Sequence, residues 1–447
     1  MKNIFWLPLV LLFLQCQNSE QKSKTEKSAL AQKPPMGWNS YNCFGGNVTE
    51  AEVKVNADYM AEKLKQYGWE YIVVDFLWYC DDQDSWEKFA NRRPAQHIDE
   101  FGRLIPSVKL HPSSEGGKGL KPLGDYIHSK GLKFGLHIMR GMPRQAVGQN
   151  TPIKNSTVKA AEVANLPDTC IWYGGLVGLN MTKEGAQEYY NSLFELYASW
   201  GVDYIKVDDI VYPYHADEIE AVRKAIDNCG RDIVLSLSPG PAFIGNPKHL
   251  RENANLWRIS GDFWDKWYAL KRQLELCRDW APHVTEGHWP DADMLPLGKL
   301  NIRTELKDHP IRTTNFTRDE QYFLMTLWSI FRSPLMFGGN LPDNDEFTLS
   351  LITNEEVLRV NQNTHNNREI SFSDSVSIWA ADDKENGSKY LAVMNVGSSS
   401  KKITLPLEKA GVTGKATIRD LWKKAALSGD GTIEVPAHGA GLFSVKE

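Results

Sequence analysis

Cysteine is scarce in this chain: six residues in 447, with no CxxC pair and no spacing that sets cysteine beside paired histidines. That excludes a zinc cluster and a small domain stapled by disulfides. Excess positive charge is missing too, since 51 Lys and Arg face 56 Asp and Glu for a net charge of -5, and no basic run occurs within the body of the chain. A nucleic-acid partner needs a basic footprint to displace counterions from phosphates, so it is excluded as well. The longest apolar run, Ile4 to Leu14, is too short to span a bilayer. A glycine-rich phosphate turn is also absent; "GWNSYNCFGG" (37 to 46) is not one, which removes a dinucleotide fold from consideration. Neither a metal nor a cofactor is implied.

What is present begins with Met1-Lys2-Asn3, the apolar run, and then Gln15-Cys16. This reads as a secretory signal. A cysteine closing the run, followed by a polar stretch from Gln17 to Lys33, predicts a bacterial lipoprotein signal with lipidation at Cys16. Residues 1–33 are therefore expected to be signal and tether, and the protein to be exported to the periplasm or cell surface, touching a membrane only through that lipid. Ordinary secretion is the alternative.

From 34 to 362, strand-like apolar runs alternate with amphipathic helical patterns, as in parallel βα units. Capping boxes are expected at Thr49/Glu52, Thr317/Glu320 and Thr353/Glu356. Strands are expected at Met36–Tyr41, Tyr71–Asp75, within Lys133–Met139, and at Tyr204–Asp208, Ile233–Leu237, Leu256–Ser260, Asp291–Leu295 and Leu335–Gly339. Eight units predict an α/β fold, a (β/α)8 TIM barrel. Within them "GWEYIVVDF" (68 to 76) echoes "GVDYIKVDD" (201 to 209), each ending a strand in a carboxylate. From 366 to 447 the texture changes to short alternating runs such as "KYLAVMNV", which predict a C-terminal antiparallel β-sandwich.

Residues i and i+2 of a strand share a face, so Lys206 and Asp208 project together, with the lysine expected to keep Asp208 ionised as a nucleophile. Arg258 and Asp262 in "WRISGD", and Asp291 and Asp293 in "WPDADML", add charges at further strand ends. His137 points from another strand. Trp38, Tyr41, Trp78, Trp172 and Trp289 lie near strand ends, where rings stack on sugars. Any one aspartate is more often a helix cap, and most tryptophans are core. Recurrence at several strand ends is what points to carboxylate chemistry on a sugar.

"PPMGWNSY", "HSKGLKFGLHI", "GVDYIKVD", "WRISGD", "DADML" and "LWSIFRSPLMFGGNL" resemble, in order and spacing, glycoside hydrolase family 27, the family of α-galactosidases and α-N-acetylgalactosaminidases. The resemblance runs from about 34 to 445. It implies a retaining exo-glycosidase with Asp208 as nucleophile, Asp262 as acid/base, and Lys206 and Arg258 binding the sugar, acting on an oligosaccharide or polysaccharide with no cofactor. It also implies departures. Asp75 stands where α-galactosidases carry the first of two adjacent aspartates that hold the 4- and 6-hydroxyls, and Phe76 stands at the second. Members acting on β-L-arabinopyranosides, which lack C6, have an apolar residue near there. His137 replaces a tyrosine, Tyr41 a tryptophan, and Ser238 in "SLSPGPA" takes the place of the residue that reads the 2-substituent. Trp289 and Asp293 are further candidate substrate contacts. Cys43 and Cys80 are each displaced from the family's usual disulfide pair, yet both follow strand ends and are candidates to pair. The expected substrate is a terminal α-D-galactose-like residue, with β-L-arabinopyranose, N-acetylgalactosamine or a modified galactose as alternatives, and a non-catalytic glycan-binding lipoprotein as the alternative of another class.

Overall fold

The computed structural model describes residues 30–81, 95–303 and 310–447. Cys16 and the expected signal lie outside the described residues. Eight strands form one parallel sheet: β1 (Met36–Asn39), β2 (Tyr71–Val74), β3 (Lys133–Met139), β4 (Tyr204–Asp208), β5 (Val234–Leu237), β6 (Leu256–Arg258), β7 (Trp289–Asp291) and β8 (Leu335–Phe337). Their order runs from β7 down to β1 and then to β8. Just past β7, Leu295 bridges Phe337 in parallel, its N–H donating to the Met336 carbonyl at 2.7 Å and its carbonyl accepting from Gly338 at 2.9 Å. The sheet thereby closes into the expected barrel.

The helices follow from apolar periodicity and caps. α1 (Glu50–Tyr59) opens on the Thr49/Glu52 capping box, with the Thr49 N–H donating to Glu52 at 2.8 Å. α2 (Lys121–Ser129), α3 (Ala186–Ser199), α4 (Ala216–Asn228), α5 (Pro247–Asn253) and α6 (Trp267–Trp280) then alternate with the strands. α4 buries Ile219, Val222 and Ile226 along one face, as a 3.6-residue period requires. α7 (Arg318–Phe331) starts at the Thr317/Glu320 box. At the third expected box the structure differs. Thr353 closes α8 (Glu346–Ile352) by donating to the Leu349 carbonyl at 2.8 Å, and Asn354 caps α9 (Glu355–Asn363) by accepting from Glu356 and Val357.

The strand starts define the barrel's floor. Tyr71, Tyr204, Val234, Leu256 and Trp289, the first residues of β2, β4, β5, β6 and β7, pack together there. The strand C-termini define the opposite face.

From Thr364 onward the chain is antiparallel β: β9 (Thr364–Ser373), β10 (Val376–Asp383), β11 (Lys389–Asn395), β12 (Lys401–Thr404), β13 (Thr417–Asp420), β14 (Ala425–Ala426), β15 (Thr432–Val435) and β16 (Ala440–Lys446). Six of these make one sheet and β12 pairs with β15, around a separate core that includes Leu391, Val393, Leu405, Val435 and Phe443. This unit docks on the barrel through α7 and α6: Trp422 Nε1 donates to Thr326 Oγ1 at 2.9 Å, and His438 stacks on Trp267 at 3.8 Å.

The expected disulfide does not form. Cys43 and Cys80 are both buried thiols, the first turned toward the Ser40 carbonyl at 3.5 Å, the second packed by Tyr173. Burial pushes the Cys80 thiol up to about 12 and the Cys43 thiol up as well, so neither is a ready thiolate.

Candidate active site

A pocket of about 290 Å³ opens at the strand C-termini. Its base is built by β2, β3 and β4. Asp75 follows β2 and is 2% exposed; its Oδ2 accepts from Asn39 at 2.7 Å and from Lys206 Nζ at 3.0 Å, and its Oδ1 from the Phe76 N–H at 2.9 Å. Burial would raise the Asp75 carboxyl, but Lys206 and then His137 and these donors hold it far below the ordinary carboxylate range. An ionised carboxylate offers about four acceptor positions, so roughly one is left for a sugar hydroxyl.

Lys206 shares the pocket with Asp208 and helps keep it ionised, as its i, i+2 relation predicts, but its direct partner is Asp75. It reaches across β3, where it registers with His137, to pair with Asp75. Burial lowers the Lys206 ammonium; Asp75, Asp208 and Asp293 together more than offset it, leaving a firm cation.

Asp208, the last residue of β4, has a side chain only 13% exposed. Burial alone would raise it. The His137 hydrogen bond reverses this, helped by Lys206 and the Asp209 N–H, and holds Asp208 below its ordinary value. His137 Nε2 lies 3.1 Å from Asp208 Oδ2, and the Asp209 N–H donates to Oδ1 at 2.7 Å. Because an ionised carboxylate only accepts, Nε2 must carry the proton. Both oxygens are thus oriented and the group stays charged.

β6 and β7 supply the other wall. Arg258 ends β6 nearly fully buried and pairs with Asp293 at 2.7 Å and Asp262 at 3.3 Å, while donating to the Gly261 carbonyl at 2.6 Å. Asp262 has left the strand, and its side chain is 70% exposed at the pocket mouth. Asp293 turns back at φ 81 to accept from the Phe263 N–H at 2.7 Å. Burial, opposed by Arg258, raises Asp293; burial and then Asp293 push Asp291 up to about 6.

The last wall is aromatic. Phe76 is 3% exposed and lines the pocket, its ring edge-on to Tyr173 at 5.0 Å, Trp172 at 5.5 Å and His137 at 5.6 Å. Tyr173 is itself held by Gln96 Nε2 at 2.8 Å. Phe76 is consequently fixed from three sides. Tyr41, Trp172 and Trp264 complete the rim.

The structure brings Tyr41, Asp75, Phe76, His137, Lys206, Asp208, Arg258, Asp262 and Asp293 to one cavity. It leaves two expected contacts out. Trp289 starts β7 rather than ending a strand, so it lies on the barrel floor, donating to the Ala31 carbonyl at 2.7 Å with Arg332 over its ring at 4.6 Å. Ser238 is buried and outside the pocket lining, whereas the next residue, Pro239, lines it. Of the other rings, Trp38 and Trp78 are wholly buried, donating to the carbonyls of Gly339 and His137. Sequence reasoning missed Asn42, Phe263, Trp264 and Met294 in the lining; Met294 was findable, being adjacent to Asp293.

Two family models match the chain: Alpha galactosidase A over residues 173–363, and the Alpha galactosidase C-terminal beta sandwich domain over 373–445. Among solved structures, a β-L-arabinopyranosidase of this family from Geobacillus stearothermophilus, in complex with arabinose, is 49% identical and superposes with a TM-score of 0.90, covering 93% of this chain and 98% of that one. A protein from Bacillus halodurans described as a candidate α-N-acetylgalactosaminidase is 45% identical with a TM-score of 0.83, covering 93% and 97%. An α-galactosidase from Coffea arabica is 28% identical over 442 residues, covering 94% of this chain and 96% of its own length. With near-complete coverage at such identity, and a closed barrel carrying carboxylates at its strand ends, the chain belongs to glycoside hydrolase family 27 and is a retaining glycoside hydrolase.

Proposed function

We propose that this enzyme is an exo-acting β-L-arabinopyranosidase, removing a terminal sugar that has the galactose configuration but no C6. The observation that carries it is Phe76, a buried ring locked beside Asp75 where a second carboxylate would hold a 6-hydroxyl. A hydroxymethyl group against that ring loses its hydrogen-bond partner and meets a wall that three neighbours hold in place, whereas a C5 methylene is apolar and small. The 49% identical arabinopyranosidase supports the same reading.

In this reading Asp75 and Lys206 hold hydroxyls of the sugar ring, and Asp208 attacks C1 from one face. Asp262, at the exposed mouth, protonates the departing oxygen as the C1–O bond breaks. The glycosyl ester on Asp208 is then hydrolysed by water that Asp262 deprotonates, restoring both carboxyl groups and the original anomeric configuration. A 2-acetamido sugar is less well supported, because Pro239 rather than Ser238 faces the cavity.

Steady-state kinetics on the nitrophenyl β-L-arabinopyranoside, α-D-galactopyranoside and α-N-acetylgalactosaminide test it. The arabinopyranoside is expected to have the highest kcat/KM, by about tenfold or more over the galactoside, and Asp208→Asn to lose turnover on all three. A galactoside preference would overturn the assignment of the sugar.

We infer further that the chain is exported and anchored by a lipid on Cys16, which rests on the Ile4–Leu14 run that stops two residues before it and the polar stretch that follows. Labelled fatty acid incorporated by wild type and lost in Cys16→Ser would support this; labelling of neither would not.

A further inference from the structure

Arg140, one residue beyond β3, is 2% exposed and has no place in the chemistry above. Its contacts converge on the peptide that follows Asp208. The Arg140 backbone N–H donates to the Asp208 carbonyl at 2.9 Å, Nε to the Asp209 carbonyl at 2.7 Å, and Nη2 to the Asp209 carboxylate at 2.9 Å. The guanidinium is in turn fixed by Asp168, bidentate at 2.9 Å, and by Glu218 at 2.6 Å. Glu218 accepts from Tyr190, whose hydroxyl also receives the Gly141 N–H at 3.0 Å.

Asp209 pays a conformational cost in this arrangement. Its φ is 59, a left-handed value that residues with a Cβ adopt rarely and at a cost. That turn brings the Asp209 carbonyl and carboxylate onto Arg140, while the Arg140 N–H holds the Asp208 carbonyl; the peptide between them presents the Asp209 N–H to Asp208 Oδ1, 2.7 Å away. A strained residue adjoining a reacting group persists only when its surroundings over-determine it, and here Arg140 holds its carbonyl and its side chain at once.

We propose that Arg140 and Asp209 are a positioning pair that holds the Asp208 carboxylate in its attacking orientation, with Arg140 locking the left-handed turn and so fixing the 208–209 peptide whose N–H meets Oδ1. The inference rests on the reading of Asp208 as nucleophile. β3 then controls both oxygens of that carboxylate: His137 faces Oδ2 directly, and Arg140 acts on Oδ1 through the neighbouring peptide. The three acids around Arg140 are explained without a bound cation, since the guanidinium already fills the space between them.

Glycine separates the conformation from the side chain, because it adopts φ near 60 without strain and leaves the carbonyl for Arg140 Nε. The test compares Asp209→Ala, Asp209→Gly and Arg140→Lys in the full-length enzyme. Each is assayed on whichever of the nitrophenyl arabinopyranoside and galactoside the wild type cleaves faster, with rates normalised to active sites titrated by a slow fluorosugar inactivator. Asp209→Ala and Arg140→Lys are expected to lose roughly ten- to a hundredfold in kcat with KM changed less than about threefold, the signature of a misaligned reacting group. Asp209→Gly, which loses the carboxylate held by Arg140 but keeps the unstrained turn and the carbonyl, is expected to lose several-fold less than Asp209→Ala. The proposal is overturned if Asp209→Ala keeps wild-type kcat per titrated site, or if glycine falls as far as alanine. Should an Arg140 variant not fold, the Ala and Gly pair still decides. Asp208→Asn is the separate control: if it retains turnover, the nucleophile reading has failed, independently of the clamp.

Discussion

Replacing Phe76 by aspartate restores a second carboxylate beside Asp75 and removes the ring that closes the pocket. On the stability side, the variant forfeits burial of a phenyl group, about 1.5–3 kcal/mol, and edge-on contacts with Tyr173, Trp172 and His137 at 5.0, 5.5 and 5.6 Å. Each such contact contributes about 0.5–1.5 kcal/mol beyond area. A total loss of about 3–7 kcal/mol is expected, enough to lower Tm by several degrees in a chain of this size. On the binding side, a carboxylate accepting from a 6-hydroxyl contributes about 1.5–3 kcal/mol, which converts to roughly 10- to 150-fold. The arabinopyranoside gains nothing from that acceptor. Normalised to titrated active sites, the ratio of kcat/KM for nitrophenyl α-D-galactopyranoside to that for nitrophenyl β-L-arabinopyranoside should therefore rise by about that factor. Phe76→Ala, which makes room without adding an acceptor, should raise the ratio less. A ratio unchanged in both variants, with Tm lowered, would mean that Phe76 shapes the fold but never meets the sugar at C5.

Three other outcomes follow from the site's electrostatics. His137→Phe removes the donor that keeps Asp208 ionised against its burial, so the acid limb of kcat/KM should move to higher pH and activity at neutral pH should fall about tenfold; an unmoved limb would contradict this. Asp262→Ala should cost about 10²–10⁴ in rate on poor leaving groups and far less on a dinitrophenyl glycoside, with azide restoring turnover; equal losses across leaving groups would argue against an acid role. Asp291 has a folded pKa pushed up to about 6 by burial and Asp293, so its ionisation opposes folding and its protonation favours it as pH falls from about 6 toward about 4. Asp291→Asn keeps the acceptor for the Asp293 N–H, and denaturant unfolding should show it more stable than wild type by about 2–3 kcal/mol at pH 8, with the gain gone below about pH 4; a variant less stable at pH 8 would refute the sign.

The barrel was legible because two strands spell it out. Before its closing aspartate "YIVVD" is wholly apolar and "YIKVD" is broken only by Lys206, and each ends where an alternating βα pattern puts the mouth. The partner of Lys206 was not legible, because periodicity assigns a face within one strand and not a reach across a neighbouring one. Trp289 was misplaced through a strand boundary: two residues' difference in where β7 begins sends a side chain to the floor instead of the mouth. Ser238 and Pro239 differ by one position in a loop, where no pattern fixes direction. Arg140 left no trace at all, since its partners Asp168, Asp209 and Glu218 meet only in the folded chain. The absent disulfide has a similar origin, two cysteines that follow strand ends yet turn into different packing.

The most direct test of the account is trapping of the glycosyl enzyme with two matched inactivators, a 2-fluoro-β-L-arabinopyranosyl fluoride and its α-D-galactosyl counterpart, followed by peptide mass spectrometry. The account predicts a single covalent label on Asp208, formed faster by the arabinopyranosyl reagent, with the order of rates reversed or levelled in Phe76→Asp. A label on any other residue, or faster labelling of the wild type by the galactosyl reagent, would contradict it.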